Sequence, residues 1–460
     1  MAPFLGFLKE ENMSMFTDLY ELTMCASYFD NQKFEPATFD LFIRKNAKKR
    51  SYFLFAGLEQ VLEFLEKVQF TEQHLAYLSE HGFNDAFLEY LRKFKFTGEI
   101  WATEEGTVVF PGEPLIRVTA PIIEAQLVET FLLNTVNLQT TIATKASRVV
   151  NAAKGKPVIE FGLRREHGID AGMKVARSSY IAGCEGTSNV LAGMAYGIPI
   201  FGTMAHSFVM SFPKEIDAFR AFARTFPDKS TLLTDTYDDI RGAEKAIQIA
   251  RELEKNGHKL GGVRLDSGDL QETSKKVRVL LNQNGLSYVQ IFASGDLDEY
   301  RIEQLLNNNA KIDAFGVGTK MGTSADKPYI DVIYKLCESQ NPKGDFVPIM
   351  KLSKNKVTLP GRKQVYRTED AKGNYKKDTI TLADEKSNGT LLLRKVMQNG
   401  KILVSQPTLA QIRKQALENL AKLPPEYKKL TNAPTYPVEL SGNMKALLQK
   451  VRRRLTKTQI

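Results

Sequence analysis

The sequence predicts an α/β protein: an incomplete (β/α) barrel with a second α/β domain built from both N- and C-terminal segments. Three observations predict it. Six short apolar runs between residues 157 and 315 recur at strand–helix spacing, roughly 25–40 residues. Each run ends in a polar or glycine-bearing motif, and the gaps between runs carry helix-like periodicity. The flanking segments have a different, hairpin-rich texture.

From the N-terminus, Thr17–Tyr28 reads as a helix capped by Thr17-Asp18, and Gly57–Val68 as a second helix. Gly98–Thr119 reads as strands, with Pro111-Gly112 as a turn between them. Ile122–Val150 reads as helix, broken around Asn134–Asn137. The six barrel strands are expected at Pro157–Phe161, Ile198–Gly202, Thr231–Leu233, Gly262–Leu265, Val289–Ala293 and Ile312–Phe315. Strands are expected again at Lys356–Leu359 and Gln364–Tyr366, and at Thr390–Met397 and Lys401–Val404 around the hairpin signal Asn399-Gly400. Helices at Thr408–Leu423 and Ser441–Leu455 close the chain. The expected division is 1–145 as an N-terminal α/β domain, 146–345 as the barrel, and 346–460 packing back on the N-terminal part.

Composition narrows the function. The chain has 460 residues, 43% hydrophobic and 25% charged, an ordinary globular balance. No apolar run approaches the about 20 residues that cross a bilayer. The start, Met1-Ala2-Pro3-Phe4-Leu5-Gly6, lacks a signal-peptide pattern. Cys25, Cys184 and Cys337 are far apart, so neither a zinc site nor a disulfide framework is indicated, and a cytoplasmic setting is expected. The net charge of +10 points to a basic surface or an anionic substrate. Its densest cluster, Lys450-Val451-Arg452-Arg453-Arg454, reads as a solvated helix face. Without an RNA-binding aromatic signature or a zinc finger, no nucleic-acid partner is expected.

A parallel barrel keeps its chemistry at the carboxyl ends of its strands, and the motifs fall there. Ser294-Gly295-Asp296 and Gly316-Val317-Gly318-Thr319 are phosphate-sized turns, unless they are ordinary strand-to-helix connections. Asp235, Asp266, Asp269 and Asp296 could hold magnesium or ribose hydroxyls; Asp269 and Asp296 could instead cap helices. Arg264 and Asp266 share a strand face. Arg164 and Arg165 offer planar forks for carboxylate or phosphate, and Phe161 a stacking face or a core residue. His206, at a strand end, suits a base, nucleophile or phosphate carrier. Phosphate cradles, carboxylates, arginines and a flat pocket together suggest phosphoribosyl transfer, which asks mainly for positioning and charge stabilisation.

On its motifs the chain resembles the nicotinate phosphoribosyltransferase family of type II phosphoribosyltransferases. The resemblance rests on Thr17–Met24, Glu160–Arg165, Gly186-Thr187-Ser188-Asn189, Gly202–Ser207, Thr234–Asp238, Gly262–Asp269, Gly316–Thr319, Lys351-Leu352-Ser353 and Pro360–Gln364. It implies synthesis of nicotinate mononucleotide from nicotinate and phosphoribosyl pyrophosphate, coupled to ATP hydrolysis with Mg2+, as the first step of NAD salvage from nicotinic acid. It implies a homodimer with shared active sites. By resemblance, His206 is the phosphorylated histidine, with Arg264 and Asp266 as its catalytic companions. Phe161 and Tyr20 stack the base, Tyr20 coming from the partner subunit. Arg164 and Arg264 bind anions, and Thr187 and Ser188 line the substrate site. Asp235 and Asp266 lie near magnesium and ribose, the metal held partly through substrate. Ser294, Gly295, Asp296, Gly316, Gly318 and Thr319 form the phosphate loops. Nicotinamide-using relatives carry an aspartate where this chain has Ser188; serine does not repel a carboxylate, which favours nicotinate. Some relatives carry a C-terminal cysteine cluster for zinc; here the last cysteine is Cys337, so no structural zinc is expected. The alternatives are a nicotinamide or quinolinate phosphoribosyltransferase and a non-catalytic binding or regulatory relative.

Overall fold

The computed structural model describes residues 8–45, 50–353, 357–403, 405 and 407–459. It divides into two compact units, Ile142–Pro328 and Met1–Thr141 with Tyr329–Ile460.

The first unit carries six parallel strands: β1 (Val158–Glu160), β2 (Gly186–Thr187), β3 (Thr231–Leu233), β4 (Gly262–Leu265), β5 (Gln290–Ala293) and β6 (Ala314–Val317). They lie in the order β2-β1-β6-β5-β4-β3. Ile200 adds a parallel bridge to Thr187 beyond β2. That is barrel order, and among the described residues no strand pairing joins β3 to Ile200. The helices between strands are α1 (Ile169–Ile181), α2 (Val190–Tyr196), α3 (His206–Met210), α4 (Glu215–Thr225), α5 (Asp239–Lys255), α6 (Leu270–Gln283), α7 (Glu299–Asn307) and α8 (Thr319–Gly322). Their inner faces are apolar: Ala243, Ala246, Ile247, Ala250 and Leu253 are buried along α5 at helical spacing.

One expected strand is corrected. Ile198–Gly202 contributes a single bridge, not a strand, and Gly186–Thr187 takes the sheet position beside β1. Two-residue β2 is too short for an alternating pattern, so periodicity alone does not reveal it.

The second unit is built on a seven-stranded antiparallel sheet. Its order is Phe346–Pro348, Val332–Gln340, Pro36–Ile43, Pro114–Pro121, Glu99–Ala102, Arg394–Gln398 and Lys401–Ile402. Segments from both chain ends therefore share one sheet. Sequence places the barrel boundary near 345, but Val332–Gln340 pairs along its length with Pro36–Ile43 in this unit. A four-stranded sheet, Thr390–Leu391, Lys363–Glu369, Tyr375–Leu382 and Val438–Leu440, completes it. Tyr375–Leu382 is not anticipated from sequence.

Other expectations meet the structure with small shifts. The first helix is Leu19–Asp30 with Asp18 at its N-cap position, and the second is Leu58–Lys67. The long helix breaks at Val128, between Ile122–Leu127 and Glu129–Ala152, rather than at Asn134–Asn137. Val357–Leu359 is not a strand. Asn399 and Gly400 both have positive φ, 51° and 67°, as a tight two-residue hairpin requires. Thr408 caps Leu409–Lys422 with a capping box, and the last helix spans Gly442–Gln459. On it Val451 is buried while Arg452 and Arg453 are exposed. Met1–Gly6, Lys356 and Val404 lie outside the described residues. No helix among the described residues is long and apolar enough to cross a membrane.

Candidate active site

Strand register assembles the rim of the barrel unit. Arg264 on β4 stands opposite Phe292 on β5. Alternate residues share a face, so two positions further on Asp266 meets Ser294. Arg264 Nε donates to Ser294 Oγ at 2.7 Å, and Nη2 donates to Asp266 Oδ1 at 2.7 Å. Ser294 Oγ donates to the same carboxylate oxygen. Arg264 Nη1 donates to Thr203 Oγ1 at 3.0 Å and to the Met204 carbonyl at 3.4 Å. The guanidinium also lies 5.7 Å from the centre of the Phe161 ring, in cation–π range. Burial works to raise the Asp266 carboxyl, but the Ser294 hydrogen bond, Arg264 and His206 outweigh it and hold the group below its usual range.

His206 is the first residue of α3. Its Nδ1 lies 3.3 Å from Thr236 Oγ1, and its Nε2 lies 3.8 Å from Asp266 Oδ2. The ring is 40% exposed, so it is both oriented and reachable. Asp235, just beyond β3, accepts from Ser267 Oγ at 2.6 Å and the Asp266 amide at 3.3 Å through Oδ2. Its Oδ1 is buried without a hydrogen-bond partner, as is Oδ1 of Asp239. Burial, then the charges of Asp235 and Asp238, raise the Asp239 carboxyl.

Phe161 leaves β1 into the barrel mouth, where its ring centre lies 5.6 Å from that of Phe292. Gly316 makes room for both rings: a Cβ there would come within 2.7 Å of Phe161 and 2.8 Å of Phe292. Gly295, with φ +89°, lets its turn lie directly on β4; a Cβ there would meet the Asp266 carbonyl oxygen at 1.8 Å. The Gly295 and Gly318 turns are tied by Lys320, whose Nζ reaches Asp296 Oδ2 at 2.9 Å and the Asp296 carbonyl at 3.1 Å. Asp296 does not cap the next helix; Asp298 does, while Asp269 caps α6. Thr319 is exposed at the start of α8.

Thr187 and Ser188 reach the rim through Glu160. The Thr187 hydroxyl donates to Glu160 Oε2 at 2.6 Å, and the Ser188 amide donates to the Glu160 carbonyl at 2.9 Å. Thr187 is buried, so its hydroxyl supports the wall from behind, while Ser188 is half-buried. Arg164 sits exposed on the 3-10 turn Leu163–Arg165. His167 is exposed too. Tyr20 belongs to the other unit, on the Leu19–Asp30 helix, with 47% of its surface exposed. Register brings Arg264, Asp266 and Ser294 together, and side-chain contacts add Phe161 and His206, with Asp235 beside them. Sequence reasoning does not single out Thr203, Thr236, Ser267, Asp239 or Lys320. Thr203, Thr236 and Ser267 do lie within strand-end motifs, the one signal that points to them.

An apolar patch covers the β2 side of this unit. Met194, Val190 and Leu191 on α2 are 79%, 67% and 54% exposed, with Ile169, Ile200 and Phe201 also uncovered. Gly193 lies against Ile200 and Gly186 against Phe201, which makes the patch continuous.

An open parallel barrel with phosphate-sized glycine turns and an arginine–carboxylate rim defines the class: a barrel protein equipped for phosphorylated, anionic substrates. Family models extend that reading along the chain. Residues 157–382 match the nicotinate phosphoribosyltransferase (NAPRTase) family, 15–137 its N-terminal domain and 386–448 its C-terminal domain. The chain is 48% identical over 442 residues to nicotinate phosphoribosyltransferase pncB2 of Mycobacterium tuberculosis, covering 95% of this chain and 94% of that one. It is 39% identical to the nicotinate phosphoribosyltransferase of Bacillus subtilis, covering 95% and 94%. The structure superposes on human nicotinic acid phosphoribosyltransferase with a TM-score of 0.85 and 29% identity, covering 95% and 99%. The chain belongs to the nicotinate phosphoribosyltransferase family.

Proposed function

We propose that this protein makes nicotinate mononucleotide and pyrophosphate from nicotinate and 5-phosphoribosyl 1-pyrophosphate, with ATP hydrolysis coupled through phosphorylation of His206. The observation that carries the reading is the state of Arg264. Four neighbours fix its guanidinium over Phe161. A cation so held costs nothing further to orient when negative charge develops on a departing pyrophosphate. The base lies on Phe161, its ring nitrogen attacks the ribose anomeric carbon, and the pyrophosphate leaves. Ser188 next to the base spares the nicotinate carboxylate a repulsion that an aspartate would impose. The Gly295 and Gly318 turns receive phosphate oxygens.

Magnesium fits the donor set through Asp235, whose Oδ1 is buried and unpartnered. Asp266 is more heavily engaged, with Oδ1 on Arg264 and Ser294 and Oδ2 facing His206. Among the described residues no cluster of three or more metal-ligating side chains exists, which suits an ion held largely by substrate oxygens. When bound, the ion would offset pyrophosphate charge.

In the coupled step the γ-phosphoryl group of ATP passes to the His206 imidazole, releasing ADP, and then to water, releasing phosphate. Thr236 on Nδ1 and Asp266 near Nε2 fix the ring for that exchange. The coupling works if phosphorylated and free enzyme bind substrates and products differently.

The protein works as a homodimer with Tyr20 supplied across the interface. The exposed Met194–Phe201 patch supports this, since a lone soluble subunit rarely leaves such a surface uncovered. Turnover with nicotinate, nicotinamide and quinolinate, each with and without ATP, tests the whole reading. Nicotinate turnover stimulated by ATP is expected. Preference for either other base, or indifference to ATP, would overturn the corresponding part.

A further inference from the structure

The rim contains a second carboxyl pair that the reaction does not use directly. Glu160 ends β1 and is 1% exposed. Its Oε2 accepts from Thr187 and its Oε1 from the Gly162 amide. Glu166, just past the 3-10 turn, folds back into a cradle of glycines. A Cβ on Gly162 would lie 2.6 Å from Glu166 Oε1 and 2.9 Å from Glu160 Oε1, so the two carboxyls sit side by side. A Cβ on Gly322 would also meet Glu166 Oε1 at 2.6 Å, and one on Gly172 would meet Oε2 at 3.1 Å. Both Glu166 oxygens are buried, and no donor among the described residues reaches them.

Two carboxylates in buried contact do not both ionise. Glu160 has two donors and is the better anion. Glu166 has none, so it keeps the proton and can give it to Glu160. The segments this pair joins are those that form the base pocket. Gly162 lies between Phe161 and Arg164. Thr187 precedes Ser188, whose amide bonds Glu160. Gly318 lies close enough that a Cβ on it would come within 2.9 Å of the Phe161 carbonyl.

We propose that Glu166 is a positioning residue: its protonated carboxyl donates to Glu160 and so locks the Phe161–Arg164 turn, the Thr187–Ser188 edge and the Gly318 loop into the geometry that receives the base. This rests on the functional reading above. It predicts a pH dependence. Burial, then the charge of Glu160, push the Glu166 carboxyl up to about 9. In the folded protein the carboxyl stays protonated, and the lock in place, until about pH 9; because its folded-state affinity for the proton exceeds that of the unfolded chain, its contribution to stability is fully present only below pH 4.5. Its stabilising effect fades as pH rises from there to about 9, and ionisation then sets two negative charges together beneath Phe161. Among the other charged groups on the surrounding elements, Arg177 on α1 is buried, and no hydrogen bond joins it to either Glu166 oxygen. Arg164 and Arg165 on the turn, and the adjacent His167, are exposed. On α1 Asp170 pairs with Lys174 at 2.7 Å, and on α8 Lys320 pairs with Asp296. Strand β2 brings no charge.

The test is kcat/KM for nicotinate against pH in wild type, Glu166→Gln and Glu166→Ala, with infrared detection of a buried protonated carboxyl. In wild type, kcat/KM should fall about tenfold per pH unit above the break, mostly through KM. The Gln variant, which still donates to Glu160, should lose that limb; the Ala variant should show a raised KM at every pH. The carboxyl band should be present in wild type at neutral pH, vanish along the same limb, and be absent from the Gln variant. An unchanged limb in the Gln variant, or no band in wild type at neutral pH, overturns the proposal. Wild type without nicotinate turnover would instead sink the functional reading, and with it the base pocket this residue is said to hold.

Discussion

The barrel unit holds two arginine–carboxylate assemblies that differ in burial and in what fills their last valence. At Glu299 the carboxylate takes Lys145 at 2.5 Å and Arg148 at 3.1 Å, with side-chain exposures of 0%, 1% and 1%. Lys145 also meets Asp326 at 2.8 Å. At Asp266 the carboxylate takes Arg264 at 2.7 Å, with exposures of 28% and 15%, and faces His206 on its open side. The first assembly is closed and can only hold the fold. The second is clamped from below and open above, so its charge remains available to a ligand. The difference lies in burial and in what occupies the last valence; both set an arginine against a carboxylate.

The largest effect is expected in the closed assembly. Glu299→Ala leaves Lys145 and Arg148 without their shared carboxylate and should cost about 3–5 kcal/mol of stability, read as a fall in urea midpoint. If the loss is no greater than for an exposed pair, the two assemblies do not differ as described. Asp266→Ala should do the reverse, lowering kcat/KM by roughly 10²–10³-fold while moving the unfolding midpoint little. A large stability loss there would erase the contrast.

His206→Ala sharpens the role of the open side. ATP hydrolysis and ATP stimulation should disappear, with a folded protein and some ATP-independent synthesis left. Incubation of wild type with γ-labelled ATP should give an acid-labile, base-stable phosphoprotein, as a phosphoramidate does. If the Ala variant still forms it, the carrier is another residue, and exposed His167 would be examined next. The smallest effect is expected at Ser188. An aspartate there should weaken nicotinate use more than nicotinamide use, by about tenfold in relative kcat/KM. Equal losses for the two bases would place Ser188 away from the carboxylate.

Much of this was legible in the sequence because it is local. Strand β4 is spelled by Gly262–Leu265, and alternation alone puts Arg264 and Asp266 on one face. The Asn399-Gly400 hairpin and the helix from Thr408 are short-range chemistry that needs no fold. Less local features escaped. Strand β2 is held by its neighbour β1 rather than by its own pattern, and Tyr375–Leu382 is placed by pairing with Lys363–Glu369. The break at Val128 carries no proline or glycine to announce it.

By itself, then, the order of residues determined which strand ends carry arginine, carboxylate, histidine and glycine, since periodicity and turn chemistry act over a few neighbours. Tertiary structure decided how their valences are filled. Ser294 is a generic hydroxyl until β5 lies beside β4 and aims it between Arg264 and Asp266. Gly295 and Gly316 look like phosphate turns, yet the close approach of the Asp266 carbonyl and of two phenyl rings already requires them to lack a Cβ. Glu160 and Glu166 are six positions apart and read as ordinary acids. Only the packing of the 3-10 turn, α1 and α8 around them removes the water that would let both ionise.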